Sequence, residues 1–466
     1  ICPTCACSRP KCMAADIRAL KELAALFPEG SKLFAVGGYC RDRLLGVTPR
    51  DLDICSELGV EDVKKLISTS DFEISEKSMR LGTARIYRRG FSAEYTAFRT
   101  DSYPEASGVH RPEKVTFTGD MRADALRRDL TVNAVYFDPL TETYTDFTGG
   151  MEDIEAGVLR AVRDPDAVFG EDGLRVLRLV RFAAELGFSL HPETFAAARR
   201  NARLVLEVAK ERVFAELDKI FVADTAYPEL GVSRGHVKGL GLMKELGLVD
   251  ILLPELAALD GLEQPAKYHI YDAYRHSEQA YAFSPPEVRW AALLHDVGKR
   301  PAFDAQGNMH GHETLGESMT LARTTALGMP RRRAERTARL VRWHMTDLKG
   351  DMSENKLRVF LAGHADIADE LIALKRADAR ATRGEDVGEL RIERVWREMK
   401  EDGTPLSVAD LPVRGEDAEA VGLVGREIGE ALGALLREAV MNPLLRDREK
   451  ALAFLEKRAK KQETER

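Results

Sequence analysis

The chain has 466 residues, 44% of them apolar and 31% charged, with a formal net charge of -7 at neutral pH. That length exceeds what one hydrophobic core usually organises and predicts two to four domains. No run of about eighteen apolar residues occurs, and nothing near Ile1 has the pattern of a cleaved leader, so the expected location is the cytoplasm, without a membrane anchor. The acidic balance excludes a protein that coats nucleic acid by bulk positive charge, yet leaves room for a local arginine-lined groove.

Residues 1–30 form an N-terminal segment in which Cys2, Cys5, Cys7 and Cys12 crowd together. A disulfide framework is not expected in so large a chain, and the CxxCxC run is a candidate zinc or iron–sulfur site that lacks a following ligand pair. Between 31 and 155, short apolar runs at Leu33–Val36, Asp51–Cys55, Ala84–Tyr87, Phe91–Phe98 and Asn133–Asp138 read as strands of one sheet. From about residue 152 the apolar spacing becomes three and four, with stops such as Gly187 and Gly247, which predicts helix nearly throughout. The stretch Pro265–Tyr274 precedes a helical block rich in His and Asp, and Arg383–Glu389 follows it. These limits divide the helical part into 156–265, 266–385 and 386–466. Near the end, Lys457, Arg458, Lys460 and Lys461 read as a solvated face. The expected fold is α+β: a small mixed β-sheet head followed by all-α regions.

In Phe34-Ala-Val-Gly-Gly-Tyr-Cys-Arg-Asp42 a strand runs through Gly37–Gly38 into a helix. Such a turn lets backbone N–H groups approach a triphosphate, and Arg41 adds charge to the cradle. A glycine pair also serves plain chain reversal. The neighbouring Arg50-Asp-Leu-Asp-Ile54 sharpens the reading: Asp51 and Asp53, two apart on a strand, project from one face while Leu52 and Ile54 face the core. Carboxylates so paired suit Mg²⁺, and two ions suit in-line displacement at phosphorus. Glu94 is a candidate third carboxylate, with a cross-strand salt bridge as the competing reading.

Arg127-Arg-Asp-Leu-Thr-Val-Asn-Ala134 leads into the strand at 133–138, and Thr148-Gly-Gly-Met-Glu-Asp153 follows a hairpin. Glu171–Phe182 reads as a helix with Leu174 and Leu177 inward and Arg175, Arg178 and Arg181 along an adjoining stripe. Three arginines so spaced often do no more than solvate a surface. The specific alternative is base reading: Asp172 would accept from an exocyclic amine while Arg175 donates to the neighbouring ring nitrogen or carbonyl. Cytosine and adenine satisfy that pair, whereas uracil and guanine leave it unpaired, at about 1–3 kcal/mol per group.

In order along the chain, Gly37–Asp42, Asp51/Asp53, Arg127–Ala134, Gly149–Asp153, Glu171–Phe182 and Lys210-Glu-Arg-Val213 resemble the class II tRNA CCA-adding enzymes and bacterial poly(A) polymerases. The resemblance implies a nucleotidyltransferase head with a helical neck, body and tail, acting on the 3′ end of tRNA with CTP and ATP. By position it implies Gly38 and Arg41 on the incoming triphosphate, Asp51 and Asp53 on Mg²⁺, Arg128 on the nucleotide, and Asp172, Arg175, Arg178 and Arg181 around base and phosphates. It also implies that Asp101–Arg122 corresponds to the loop that helps this family switch from C to A, which favours full CCA addition. An enzyme adding only A, or a poly(A) tail, is the alternative.

The later block sets His295 and Asp296 side by side after an apolar run, with His276 before them and His310, His312, His344 and Asp378 after. Mixed imidazole and carboxylate ligands suit Mn, Fe, Co, Ni or Zn better than Mg. The set resembles the HD phosphohydrolase domain, which implies His276, His295, Asp296 and Asp378 as metal ligands and His312 and His344 as second-site or substrate-contacting groups. A rival function is therefore an HD-type nucleotide or phosphodiester hydrolase whose head only binds RNA.

Overall fold

The computed structural model describes residues 9–78, 81–102, 114–264, 270–384 and 387–465. Cys2, Cys5 and Cys7 lie outside the described residues, as do positions 103–113 of the expected loop. The chain packs as two units, Ile1–Pro254 with Ala326–Gly328, and Glu255–Thr325 with Met329–Arg466.

The first unit holds the strands β1 (Phe34–Val36), β2 (Asp53–Ser56), β3 (Glu73–Ser78), β4 (Thr83–Arg88), β5 (Phe91–Ala97), β6 (Arg99–Ser102), β7 (Lys114–Phe117), β8 (Val135–Asp138) and β9 (Thr143–Asp146). Seven of them form one mixed sheet in the order β3-β4-β5-β2-β1-β8-β9, and β6 and β7 form a separate pair. All five expected strands lie in that sheet. Pairing of β2 with β5 is parallel, and the other pairings of the sheet are antiparallel. Alternation along β5 buries Phe91, Ala93, Tyr95 and Ala97 and turns Ser92, Glu94 and Thr96 to the opposite face. Register places Glu94 beside Asp53 and Tyr95 beside Ile54, so the apolar face of β2 and β5 is the core and the other carries the carboxylates.

One strand limit differs from expectation. β2 begins at Asp53, where Val36 and Glu94 flank it, and Asp51 is an exposed residue just before the strand. A single further ladder bond, Glu94 N–H to the Leu52 carbonyl (2.8 Å), continues the pairing. The helical run expected over 171–182 is also broken. One helix ends at Glu171 and the next spans Leu174–Leu186. The break is at Asp172, whose backbone is extended (φ -150°, ψ 105°), and a Cβ at Gly173 would lie 2.5 Å from the Leu204 carbonyl, so only glycine admits that backbone beside it.

In the helical part of the first unit, Leu174–Leu186 packs against Lys210–Phe221 and Gly235–Glu245. Gly235 and Gly239, one turn apart, make this crossing close: a Cβ at Gly235 would sit 2.4 Å from the Ala184 carbonyl oxygen, and one at Gly239 2.6 Å from Ile220 Cγ2. The second unit is helical, with one core around Leu340, Leu357, Leu371 and Trp396 and another around Leu411, Leu435 and Leu455. No described helix is long and apolar enough to cross a membrane. Gly239→Leu is expected to force the 174–186 and 210–221 helices apart, at about 1–3 kcal/mol or more. A urea titration should show a lower midpoint with unchanged slope; an unshifted midpoint would refute the tight crossing.

Candidate functional site

A cavity of about 550 Å³ opens in the first unit, and every expected head-site residue except Glu94 lines it: Gly37, Gly38, Arg41, Asp51, Asp53, Arg128, Asp172, Arg175, Arg178 and Arg181. Gly37 turns the chain at φ 75°, ψ -138°, a conformation that other residues avoid, and a Cβ there would meet Asp53 Oδ2 at 3.3 Å. The glycine thus lets β1 end against the carboxylate. Burial raises the Asp53 pKa, and the charges of Glu94 and Asp51 raise it further against the opposing pull of Arg128. A buried carboxylate raised in this way by its neighbours fits a divalent cation. Glu94 lies next to Asp53 in the sheet and is ion-paired to Lys77, the salt-bridge reading of it.

The arginines differ in how they are held. Arg128 donates to Asp124 (3.0 Å) and to the Tyr136 hydroxyl (3.3 Å). Arg178 donates to Asp129 (2.7 Å), and Arg181 pairs with Glu216 (2.7 Å). Burial alone would raise Asp124 and Asp129, but their guanidinium partners outweigh it and hold both at about 2. Arg41, expected on the triphosphate, is buried and spends its donors on Asp42 (2.7 and 2.9 Å), Asn133 (2.8 Å) and Tyr227 (2.8 Å). Arg175 is similarly tied, to the Val168 and Arg127 carbonyls (2.9 and 2.8 Å) and to Glu171 (2.8 Å). Both arginines therefore brace the wall they line. Asp172 sits in the helix break, where its Oδ1 accepts the Leu174 N–H (3.0 Å) and its Oδ2 faces Arg212 (3.3 Å).

One contributor escaped the sequence reading. Tyr227, whose phenol burial pushes up to about 12, donates to Asp42 (3.1 Å) and accepts from Arg41. Asp153 of the Gly149–Asp153 motif accepts from the Thr131 hydroxyl (2.7 Å), and a Cβ at Gly150 would strike the Thr131 carbonyl at 2.1 Å. That motif buttresses the Arg127–Ala134 segment from behind.

In the second unit His276, His295, Asp296, His312, His344 and Asp378 converge, while His310 stays exposed. Ring nitrogens Nδ1 of His295, His312 and His344 donate to the carbonyls of Ala292 (2.8 Å), Met309 (2.8 Å) and Val341 (2.6 Å). A carbonyl can only accept, so the neutral rings point bare Nε2 lone pairs inward. Nε2 of His312 and of His344 nevertheless stand 3.2 Å apart, an arrangement that fits a shared cation. Two ligand sets have their atoms within 4.8 Å of one another: His276, His295 and Asp378; and His295, Asp296 and His344. Burial, with the charges of His295 and His312, lowers His344 to about 3, which keeps its ring neutral as a ligand must be. Lys299 donates to Asp296 (2.6 Å), and buried Lys375 donates to the His344 and Thr346 carbonyls (2.7 Å each). Gly298 closes the turn, since a Cβ there would lie 2.0 Å from the His312 carbonyl oxygen.

Three family models match the chain: the Poly A polymerase head domain over residues 33–160, the probable RNA and SrmB-binding site of polymerase A over 187–259, and the HD domain over 271–383. The chain is 33% identical to the CC-adding tRNA nucleotidyltransferase of Thermus thermophilus, over 91% of this chain and 92% of that one. It is 30% identical to the A-adding tRNA nucleotidyltransferase of Deinococcus radiodurans, over 88% and 91%. The CCA-adding enzyme of Geobacillus stearothermophilus is 34% identical over 60% of this chain and 63% of its own length. In fold, the chain is similar to the Bacillus stearothermophilus CCA-adding enzyme in complex with CTP, with a TM-score of 0.66 and 23% identity over 97% of this chain and 99% of that one.

Calorimetric titration of the metal-free protein with Mn²⁺ or Ni²⁺ should show a site that Asp378→Asn weakens by at least about tenfold. Equal affinity in the variant would remove the His/Asp cluster from consideration as a metal centre.

Proposed function

The chain belongs to the tRNA nucleotidyltransferase family, with a poly(A) polymerase head and an HD domain, and on that premise we propose that it adds CCA to the 3′ end of tRNA from CTP and ATP. One observation carries the reading: Asp51 and Asp53 share a cavity with the Gly37–Gly38 turn and with a row of guanidiniums. In this reading residues 31–155 are the catalytic head, 156–265 the neck, 266–385 the HD domain and 386–466 the tail. Mg²⁺ held by Asp51 and Asp53, with Glu94 adjoining, would activate the 3′-hydroxyl and neutralise the departing pyrophosphate. Gly37 and Gly38 admit the triphosphate against the backbone, while Arg128 and Arg178 meet its charge. Asp172 accepts the amino group shared by cytosine and adenine, and Arg175, braced on Glu171, keeps the wall beside it in register.

A second reading has its own support. The two relatives that match about nine-tenths of this chain are named for adding CC and for adding A. Partial addition of the end is therefore the alternative within the same chemistry. For the second unit we propose a phosphohydrolase centre in which Mn, Ni, Co, Fe or Zn held by His276, His295, Asp296 and Asp378 would activate a water, with His312 and His344 completing a second position.

A gel assay with Mg²⁺, tRNA lacking its 3′ CCA, and labelled CTP and ATP singly and together tests the head. Extension by three residues with both nucleotides supports CCA addition; a stop after two C, or incorporation of A alone, selects the partial readings. Asp53→Ala should abolish extension, and surviving activity would refute the carboxylate assignment. In the same assay Asp172→Ala should relax discrimination against UTP by about tenfold or more.

A further inference from the structure

The large cavity accounts for one reactant, the nucleoside triphosphate, whereas transfer needs a second within about 3–3.5 Å of it. We propose that a smaller neighbouring cavity, lined by Thr83, Thr96, Arg99 and Arg127 and walled by Asp53 and Arg128, holds the last ribose–phosphate unit of the RNA strand that is extended. This assignment rests on the reading of the head as a nucleotidyltransferase.

The argument begins with the wall. Asp53, Arg127 and Arg128 line both cavities, so a group seated in the smaller one borders the same carboxylate that serves the larger. Strand register extends the catalytic face in that direction. Asp53 pairs with Glu94, Cys55 with Thr96, and Thr96 in turn with Thr83. Because side chains alternate, Asp53, Glu94, Thr96 and Thr83 stand on one face. The two threonines are directly opposite one another, with Cβ atoms about 4.5–5.5 Å apart, and their hydroxyls can meet neighbouring oxygens of one phosphate or ribose.

Charge selects the ligand. Arg99 pairs with Asp101 (3.0 Å), Arg127 with Asp124 (2.8 Å), and Arg128 with Asp124 (3.0 Å). With Arg128 assigned to the triphosphate, Arg99 and Arg127 are the guanidiniums left to this cavity; each is already ion-paired, so they offer remaining N–H groups with little uncompensated charge. A phosphodiester carries one negative charge; a triphosphate carries several. Size agrees: about 210 Å³ falls below the ~300–1,000 Å³ of sites that enclose a whole ligand, as suits one unit of a strand whose remainder lies outside. Arg99 is also mostly buried, and burial with the nearby charge of Arg127 lowers its pKa, an environment that an added anion relieves.

Two variants of the full-length protein test this: Arg99→Gln, and the double substitution Thr83→Val with Thr96→Val, which keeps β-branched side chains in the sheet. Steady-state extension should show the KM for tRNA lacking CCA raised about tenfold or more, with the KM for CTP and inhibition by pyrophosphate within about twofold of the parent. Anisotropy of a labelled tRNA without nucleotide should show the same loss of affinity. A raised KM for CTP, or weakened pyrophosphate inhibition, would assign the cavity to the triphosphate or its product and overturn the proposal. Unchanged RNA affinity in both variants would also overturn it. If the parent protein extended no RNA, the reading of the head would fall, while the anisotropy comparison would still decide whether RNA occupies this cavity.

Discussion

Asp124 and Asp129, both buried, tie down the guanidiniums of Arg127, Arg128 and Arg178 at the wall of the head cavity. A guanidinium drawn out of water is tolerated only with a hydrogen-bonded counter-charge, and these two carboxylates supply it before any nucleotide arrives. Their position depends on the backbone around them. Gly150 and Asp153 hold the Thr131 turn from behind, and the Gly235/Gly239 crossing brings the 174–186 helix close to its neighbours. A wall of prepaired arginines beside Asp53 is thus a consequence of glycine packing at positions remote from the chemistry, and it presents a cationic surface that needs no reorganisation when an anion enters.

Much of this was legible in the sequence because the informative features are local. Asp51 and Asp53 are two residues apart, the Gly37–Gly38 turn joins a strand to a helix, and the five apolar runs of the head reappear in one sheet. What escaped depends on contacts distant in sequence. Tyr227 reaches Asp42 and Arg41 across some 185 positions, and no local pattern marks it. β3, with mostly exposed residues, has no alternation to betray it. The extended backbone at Asp172 and the approach of Leu204 to Gly173 are not revealed by the helical spacing of 171–182. Arg41 and Arg175 illustrate a different limit. Residue type and spacing put them at the site, but only the fold shows that protein oxygens already occupy most of their donors.

The second unit follows the same logic with different ligands. Backbone carbonyls hold three imidazoles in the tautomer that aims Nε2 inward, and Asp296 and Asp378 supply negative charge among them. Despite burial, the neighbouring imidazoles hold Asp296 and Asp378 well below the usual carboxylate range, whereas in the head burial and the charges of Glu94 and Asp51 raise Asp53. Nitrogen and oxygen ligands together in one centre, and oxygen ligands alone in the other, suit different classes of divalent cation.

The most direct test of this account is anomalous diffraction from crystals grown with Mn²⁺ and a non-hydrolysable CTP analogue. The account predicts manganese bound to carboxylate oxygens of both Asp51 and Asp53, with the triphosphate against Gly37 and Gly38. Manganese confined to the His/Asp cluster, with nucleotide bound and no ion at Asp51 or Asp53, would contradict it.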